Sequence, residues 1–442
     1  MRYKSLGVLA LVIACAPKGG RNVHAGAGDS VTAIVNATAI PMDTERLIGD
    51  AVIIVRGDRI VWVGPASGAV IPAEARRIDA GGGFVLPGLA DLHVHTNERE
   101  LPLYLENGVT TIREMNGSPE HLALRERLRS GTLTGPTMHV AGTLLAGTQQ
   151  RWRHRLISTP DEARAAVRQQ ADSGYEFIKV YDGLSSESYA AIVDEAHSRR
   201  IRVIGHVPAA VELSGVLAAR QAEIDHVEQL IRGIVYRDTT RWQSRIDSVA
   251  REIADAGTWV NPTLAVEEAL SRAGTTWYAE RLTRPEMRFV DSATMAWWAS
   301  LSRQRGADPA HAPAGARPDD DFSSPRARAI VEMKRATVAA LRANGVRLLM
   351  GTDLPNPLMV PGFSVHEELA ALVRAGLTPF DAIATATRDA GEFMGADRFG
   401  VIAPGARADL IIVGSNPLED VGRLAKPKAV AVRGRWVRSI TQ

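Results

Sequence analysis

The sequence predicts an α/β protein with a TIM-like (β/α)8 barrel at its centre and a small β-sandwich domain formed from both chain ends. Through the middle of the chain, short apolar runs alternate with helix-like segments, and this alternation indicates a parallel sheet with helical crossovers. Seven or so such units fill residues 87–404. That length favours a barrel, which takes about 250 residues or more, over an open doubly wound sheet.

The two chain ends share a β-rich pattern of branched apolar residues separated by turn residues. The strand-like runs are residues 31–36, 51–55, 59–64, 409–413, 429–432 and 434–437. We therefore expect residues 30–86 and 405–442 to form one composite β domain beside the barrel of residues 87–404.

Helix signals and one interruption appear within the barrel region. Thr159, Pro160 and Glu162 form a helix start, with a capping Thr, Pro at the first helical position and Glu three residues after the cap. Residues 263–324 break the alternation, carry several aromatic residues, and become rich in Pro, Gly, Ala and Asp over residues 307–321. We interpret residues 263–324 as an insertion over one end of the barrel.

The first 29 residues have the features of an export leader. Arg2 and Lys4 precede a short apolar run at residues 6–14, and Cys15 follows it. This pattern resembles a bacterial lipoprotein signal, whose cysteine is lipidated; the alternative is a secretory signal that is cut further along. In both cases we expect an exported protein, periplasmic or lipid-anchored to the envelope membrane.

Composition excludes several classes of partner. The net charge is +2 and no basic block stands out, so nothing indicates nucleic acid. The Arg-rich residues 151–155, which include Trp152 and His154, are too few to change this and are interpreted as a loop. No stretch beyond the leader is long and apolar enough to span a bilayer, so membrane contact is expected only through Cys15.

Polar residues stand where several predicted strands end. His93 and His95 are two apart on one strand, so their side chains point to the same side, although packing histidines would give the same spacing. In a barrel, the carboxyl ends of the strands converge on one face, where catalysis occurs. Imidazoles with a carboxylate suit zinc or a similar divalent ion. The candidate residues are His93, His95, Lys179, His206, His226 and Asp353.

Lys179 is the unusual member of this set. An ammonium beside a dication is repelled, so an unmodified lysine is a poor ligand. A lysine carboxylated by carbon dioxide becomes an anion with two oxygens that can bridge two metals. The alternative is a lysine in an ion pair at the mouth of the barrel.

These motifs, taken together and in order, resemble the amidohydrolase superfamily with a binuclear metal centre. Within it, the chain is most similar to the imidazolonepropionase-like and Xaa-Pro-dipeptidase-like group, and Lys179 favours the binuclear branch. The motifs that carry the resemblance are His93-Val94-His95, residues 177–181, residues 205–208, residues 225–228, Gly351-Thr352-Asp353, and the junction at residues 386–391 and 400–410.

The resemblance implies a role for each candidate. His93, His95 and Asp353 would hold one divalent ion, His206 and His226 the other, and N6-carboxylated Lys179 would bridge them. Zinc is the default metal from the ligand types. A hydroxide between the metals would attack a carbonyl carbon, while Asp353 would act as the catalytic residue that accepts a proton and passes it to the leaving nitrogen.

The expected function is hydrolysis of the amide bond of a dipeptide or N-acyl amino acid. The same centre would also suit a cyclic amide, a lactone, or a xenobiotic amide or ester, and a non-catalytic lipid-anchored metal protein is a third hypothesis. Related dipeptidases carry a Gly-Gly-His-like segment that residues 142–150 lack, so their leaving-group specificity does not transfer.

Tyr181 and residues 151–155 are candidates to contact a small-molecule substrate. His121 is interpreted as a surface or packing residue. Relatives often assemble, which leaves a homo-oligomer open.

Overall fold

The computed structural model of the protein describes residues 30–237, 242–306, 324–395 and 397–437. The leader with Cys15 lies outside these ranges, as do residues 307–321 of the insertion, so the expectations of export, lipidation and irregular structure there stay predictions. Within the described ranges, no helix is long and apolar enough to cross a membrane.

The strands occupy both chain ends and much of the middle of the chain. They are β1 Val31–Ala39, β2 Ile48–Arg56, β3 Arg59–Pro65, β4 Arg76–Asp79, β5 Phe84–Pro87, β6 Leu89–Val94, β7 Val109–Glu114, β8 Thr137–Val140, β9 Leu144–Ala146, β10 His154–Leu156, β11 Phe177–Val180, β12 Arg202–Gly205, β13 Glu223–Asp225, β14 Trp259–Asn261, β15 Leu410–Val413, β16 Ala429–Val432 and β17 Arg435–Val437.

The α-helices lie between the barrel strands and in the insertion. They are α1 Leu101–Glu106, α2 Pro119–Arg129, α3 Pro160–Asp172, α4 Ser186–Ser198, α5 Glu212–Ala218, α6 Val227–Arg237, α7 Trp242–Ala256, α8 Leu264–Ser271, α9 Thr276–Arg281, α10 Ser292–Gly306, α11 Pro325–Ala343, α12 Ser364–Arg374, α13 Pro379–Thr385 and α14 Arg388–Met394.

Strands from both chain ends form one eight-stranded sheet. Its order is β17-β16-β15-β5-β1-β2-β3, and β4 pairs with the first half of β1 while β5 pairs with the second half. β15 runs antiparallel to β5, with Leu410 opposite Pro87. The two ends therefore meet as expected, but the predicted β-sandwich is not confirmed, because the described strands belong to a single sheet.

The middle of the chain forms a TIM-like arrangement of parallel strands with helices packed outside. The strands fall into two parallel sheets, β6-β7-β8 and β10-β9-β11-β12-β13-β14. Isolated bridges connect Ala141 with Phe177, Val260 with Leu348, and Val94 with Leu354. The assigned strands thus do not close into one continuous sheet, and backbone bridges link the gaps around the ring. The predicted loop at residues 151–155 is also shorter than expected, because β10 begins at His154.

Local sequence explains why these elements form. β6 and β7 are buried along their whole length, as expected for strands covered on both faces. The predicted helix start is confirmed: the Thr159 hydroxyl accepts from the Glu162 backbone N–H at 3.3 Å, and the Glu162 carboxylate accepts from the Thr159 N–H at 3.2 Å. These two bonds satisfy donors that the first turn of α3 otherwise leaves unpaired.

The first part of the insertion is helical and anchored to the barrel. Trp298 on α10 is fully buried, and its indole N–H donates to the Pro355 carbonyl at 3.2 Å. The Tyr278 hydroxyl donates to the Trp298 carbonyl at 3.3 Å. Two of the aromatic residues therefore hold the insertion helices together and fix them beside the chain segment that carries Asp353.

Candidate active site and metal centre

The predicted site residues lie where barrel strands end, on one face of the barrel. His93 is on β6 and His95 follows it, while Lys179 is on β11. His206 and His226 come directly after β12 and β13. Asp353 follows the segment that hydrogen-bonds to β6, since its N–H donates to the His93 carbonyl at 2.8 Å. The order of strands therefore brings distant parts of the sequence together.

Asp353 lies at the centre of the histidines. Its Oδ1 atom is 3.3 Å from His93 Nε2 and 3.6 Å from His95 Nε2, and its Oδ2 atom is 3.8 Å from His226 Nδ1. Potential ligand atoms of His93, His226 and Asp353 all lie within 4.8 Å of one another. These three residues could hold one metal ion together.

His206 adjoins this group on the side of His226. The centroids of the His206 and His226 rings are 4.9 Å apart, and the Tyr181 ring lies 3.9 Å from that of His206. Tyr181 is therefore placed against a candidate ligand, and it also lines the cavity above the site.

Lys179 forms a buried ion pair with Asp225, the residue directly before His226. Burial by itself raises the pKa of the Asp225 carboxyl, but the Lys179 ammonium and His93 hold it well below its ordinary value. Asp225 Oδ1 is also 3.5 Å from His93 Nδ1. The ion-paired state that the sequence left as the alternative for Lys179 is the state that the structure contains, and carboxylation of Lys179 stays a prediction.

Three histidines are oriented in the same way, each through its Nδ1 atom. The pairs are His206 with Asp182 Oδ1 at 3.1 Å, His226 with Thr263 Oγ1 at 2.8 Å, and His95 with Glu114 Oε1 at 3.4 Å. Holding Nδ1 in this way fixes the ring and leaves Nε2 for a metal. His206 Nε2 is buried and has no hydrogen-bond partner among the residues that the structure describes. The donor set therefore fits a divalent metal centre.

The protonation states of most of the candidate histidine ligands also fit a metal centre. Burial, together with the nearby Lys179 charge, lowers the pKa of His93 to about 3. Burial lowers the pKa of His206 to about 4. Neutral imidazoles are the form that binds metal. Burial also acts to lower the pKa of His95, but hydrogen bonds with Asp353 and Glu114 raise it to about 9, so His95 must release a proton to become a ligand.

Comparison with known proteins then decides the family. The family model described as "Amidohydrolase family" matches residues 84–437. The chain belongs to this family. It is therefore a hydrolase that acts on carbon–nitrogen bonds, in a family that generally uses a metal centre.

Relatives of this amidohydrolase cover most of its length. Imidazolonepropionase of Cereibacter sphaeroides (strain KD131 / KCTC 12085) is 27% identical over 384 residues, covering 84% of this chain and 90% of that protein. Among solved structures, the bottromycin amidohydrolase is 27% identical with a TM-score of 0.74, covering 92% of this chain and 87% of that one. A Xaa-Pro dipeptidase with bound methionine is 20% identical with a TM-score of 0.69, covering 92% and 100%. This last likeness shows the TIM-like fold alone.

Three residues of the amidohydrolase site have a left-handed backbone. His226, Thr263 and Asp353 have φ values of 66°, 46° and 56°. Non-glycine residues rarely adopt this region, and such strain concentrates at functional sites, where the surrounding structure must hold it. Here the His226 side chain lies next to the side chains of both Thr263 and Asp353.

A cavity of about 250 Å³ opens above the histidines, and several of its lining residues were not predicted from the sequence. They are Thr96, Glu114, Asn116, His121, Leu144 and Asn356. Glu114 ends β7, so the strand-end argument applied to His93 could have found it. Interpreting His121 as a packing residue was incomplete: its ring contacts Ser118 and the Thr96 carbonyl, yet it also lines the cavity. Trp152, which also lines the cavity, belongs to residues 151–155, the stretch that the sequence offered as a candidate to contact the substrate.

Proposed function

We propose that this amidohydrolase is an exported enzyme that uses two divalent metal ions, zinc by default, to hydrolyse the amide bond of a dipeptide or N-acyl amino acid. One observation supports it above the others. Side chains from the ends of several strands, together with Asp353, converge below a single cavity of about 250 Å³, a size that suits a small molecule.

In this proposal His93, His95 and Asp353 would hold one ion, and His206 and His226 would hold the other. Lys179, after carboxylation, would supply a carbamate ligand shared by both ions. When bound, the ions polarise the substrate carbonyl and make hydroxide available near neutral pH. The fixed Nδ1 atoms of His95, His206 and His226 support the assignment because they preset the ring orientations.

The chain itself supplies the proton transfers. Burial alone would raise the pKa of Asp353, but the adjacent His93, His226 and His95 hold it below its ordinary value, so Asp353 is ionised and can accept a proton. The Asn356 amide donates to Asp353 Oδ2 at 2.8 Å, which leaves Oδ1 to face His93 and His95. Asp353 then returns the proton to the leaving nitrogen, since an amine leaves poorly unless it is protonated.

Tyr181 is proposed to contact the substrate. Burial and the nearby Asp353 charge raise the pKa of the Tyr181 hydroxyl above its ordinary value, so it stays protonated. A protonated hydroxyl can donate a hydrogen bond to a substrate oxygen.

Metal content and intact mass of protein purified in bicarbonate test this proposal. About two metals per chain, with the mass of a carboxyl group on the peptide containing Lys179, are the expected result. One metal and an unmodified Lys179 would require a mononuclear mechanism. A panel of dipeptides and N-acyl amino acids, before and after chelation, tests the reaction.

A second candidate is hydrolysis of a cyclic amide, a lactone, or a xenobiotic amide or ester. The apolar Leu144 and Trp152 walls of the cavity favour it, because they suit a non-peptide group. The relative named imidazolonepropionase also supports testing a cyclic amide. Cleavage of a lactone or cyclic amide with no activity on the dipeptide panel would select this candidate.

Export through Cys15 is part of the same proposal and is tested separately. Cell fractionation should find the wild-type protein in the envelope membrane fraction and Cys15→Ala outside it. Equal distribution of both proteins would favour a secretory signal that is cut elsewhere.

A further inference from the structure

The loop between β9 and β10 forms part of the cavity mouth. Trp152 lines the cavity, and so does Asn116 at the end of β7. The Asn116 amide donates to the Arg153 carbonyl at 2.9 Å, and the Arg153 guanidinium donates back to the Asn116 carbonyl. These two bonds tie the loop to a barrel strand, so the position of Trp152 is fixed.

The Arg151 guanidinium lies against two indole rings at this mouth. Its guanidinium carbon is 4.8 Å from the centre of the Trp152 ring and 3.8 Å from that of Trp297. The two rings meet edge to face, with centroids 6.2 Å apart. Trp297 is on α10, which the neighbouring Trp298 anchors to the Pro355 carbonyl. Cation–π contacts use the face of the guanidinium, so its in-plane N–H donors stay available.

The charge of Arg151 has no carboxylate partner in the part of the chain that the structure describes. The guanidinium groups of the two neighbouring arginines already donate hydrogen bonds, that of Arg153 to the Asn116 carbonyl and that of Arg155 to the Gln169 side chain. Among the described residues that line the cavity, Lys179 is the one lysine or arginine, and Asp225 neutralises it. An unpaired lysine or arginine for an anionic substrate group would therefore come from the rim of the cavity.

We infer that Arg151 binds the carboxylate of the substrate, while Trp152 packs against the apolar side chain beside that carboxylate. This inference rests on the proposed function and narrows it to N-acyl amino acids and dipeptides that have a free carboxylate and an apolar or aromatic residue next to it. Trp152 and Trp297 hold the guanidinium in place before the substrate arrives, which lowers the ordering cost of binding.

Kinetics with Arg151→Met test the assignment. The substrates are N-acetylphenylalanine and its carboxamide, with release of acetate as the readout. Loss of a charge-assisted pair should raise KM for the acid by about tenfold to a hundredfold, leave kcat within about threefold, and leave the carboxamide unaffected. The matched control is Arg164→Met, which changes an exposed arginine on α3 that pairs with Asp194. It should alter neither KM nor kcat for either substrate.

Binding without chemistry separates this inference from the proposed function. Calorimetry with 3-phenylpropanoate and 3-phenylpropan-1-ol, neither of which has an amide or ester bond to cleave, should show that the wild type prefers the acid and that Arg151→Met loses the preference. If no amide substrate is cleaved but this preference depends on Arg151, the proposed function fails and the inference stands. A preference that survives in Arg151→Met, or a wild type that does not prefer the acid, overturns the inference. Thermal melting confirms that each variant is folded.

Discussion

The ammonium of Lys179 lies against the carboxylate of Asp225, and both side chains are almost completely buried. An amine must be neutral to react with carbon dioxide, and Asp225 stabilises the charged form. Carboxylation of Lys179 and the ion pair are therefore competing states of one side chain. Metal binding favours the first state only if the ions compensate for the lost pair.

Asp225→Asn tests the ion pair. With metal and bicarbonate removed, the variant leaves a buried ammonium without its partner, so the free energy of unfolding should fall by about 3–5 kcal/mol. Urea denaturation measures this difference. The control is Asp172→Asn, whose exposed pair with Arg199 should contribute less than about 1 kcal/mol. A loss as small as that of the control would mean that Lys179 is uncharged in the metal-free protein.

Asp182→Asn tests the orientation of His206. Without the carboxylate on Nδ1, His206 is a weaker and less well positioned ligand, so affinity for the second metal should fall about tenfold to a hundredfold. Competition with a chromophoric chelator gives the affinity of each site. Asp194→Asn, an exposed carboxylate on α4, should bind metal like the wild type. Unchanged affinity in Asp182→Asn would remove His206 from the proposed ligand set.

Gly351→Ala tests how tightly the segment before Asp353 packs under the site. A Cβ atom at Gly351 would lie 2.5 Å from the Cβ of His93 and 2.7 Å from the Asn261 amide, so His93 has to move. We expect about 1–3 kcal/mol of lost stability and a clear loss of bound metal. Gly49→Ala is the control, because its Cβ would meet nothing within 4 Å. Normal metal content in Gly351→Ala would show that His93 tolerates the shift.

Glu368 should make stability depend on pH. Its carboxylate accepts hydrogen bonds from the backbone N–H groups of Leu264 and Ala265 at the start of α8. Burial raises the pKa of Glu368 from 4.5 to about 8. The folded state thus binds this proton more tightly than the unfolded chain does. The contribution of the protonated Glu368 to the free energy of unfolding is complete below pH 4.5 and is lost as pH rises through about 8.

Glu368→Gln cannot ionise, so its stability should fall less between these two pH values. Between these pH values, the difference in the free energy of unfolding between the variant and the wild type should change by up to about 1.4 kcal/mol per pH unit. Urea denaturation at several pH values measures it. Glu367→Gln, which changes the adjacent half-buried carboxylate that pairs with Arg284, should keep the wild-type slope. If the free energy of unfolding changes with pH in the same way for the wild type and Glu368→Gln, the raised pKa of Glu368 is contradicted.

Much of the fold and the position of the candidate residues could be predicted from the sequence. The alternation of strands and helices placed His93, Lys179 and Asp353 at strand ends, and barrel geometry then predicted that they meet. The start of α3 at Thr159 was also readable, because capping depends on residues only three positions apart.

Other features depend on contacts that no local pattern encodes. The buried partnership of Lys179 on β11 with Asp225 on β13 reaches across β12, so it depends on the register of three strands. Trp152 and Trp297 meet although they are far apart in the chain and belong to a loop and an inserted helix. The way β1 divides its pairing between β4 and β5 within the terminal sheet is a further example, because strand composition does not specify that register.

The antiparallel pairing of β5 with β15 also sets the order in which the chain can fold. β5 is synthesised before the barrel, whereas the residues that cover its edge, Leu410–Val413, are synthesised only after it. Contacts this distant in sequence form slowly. Until then β5 presents an open edge that can pair with other chains. Loss of the last strands should therefore give aggregation, not a smaller working enzyme, even though the cavity and its histidines lie in other strands.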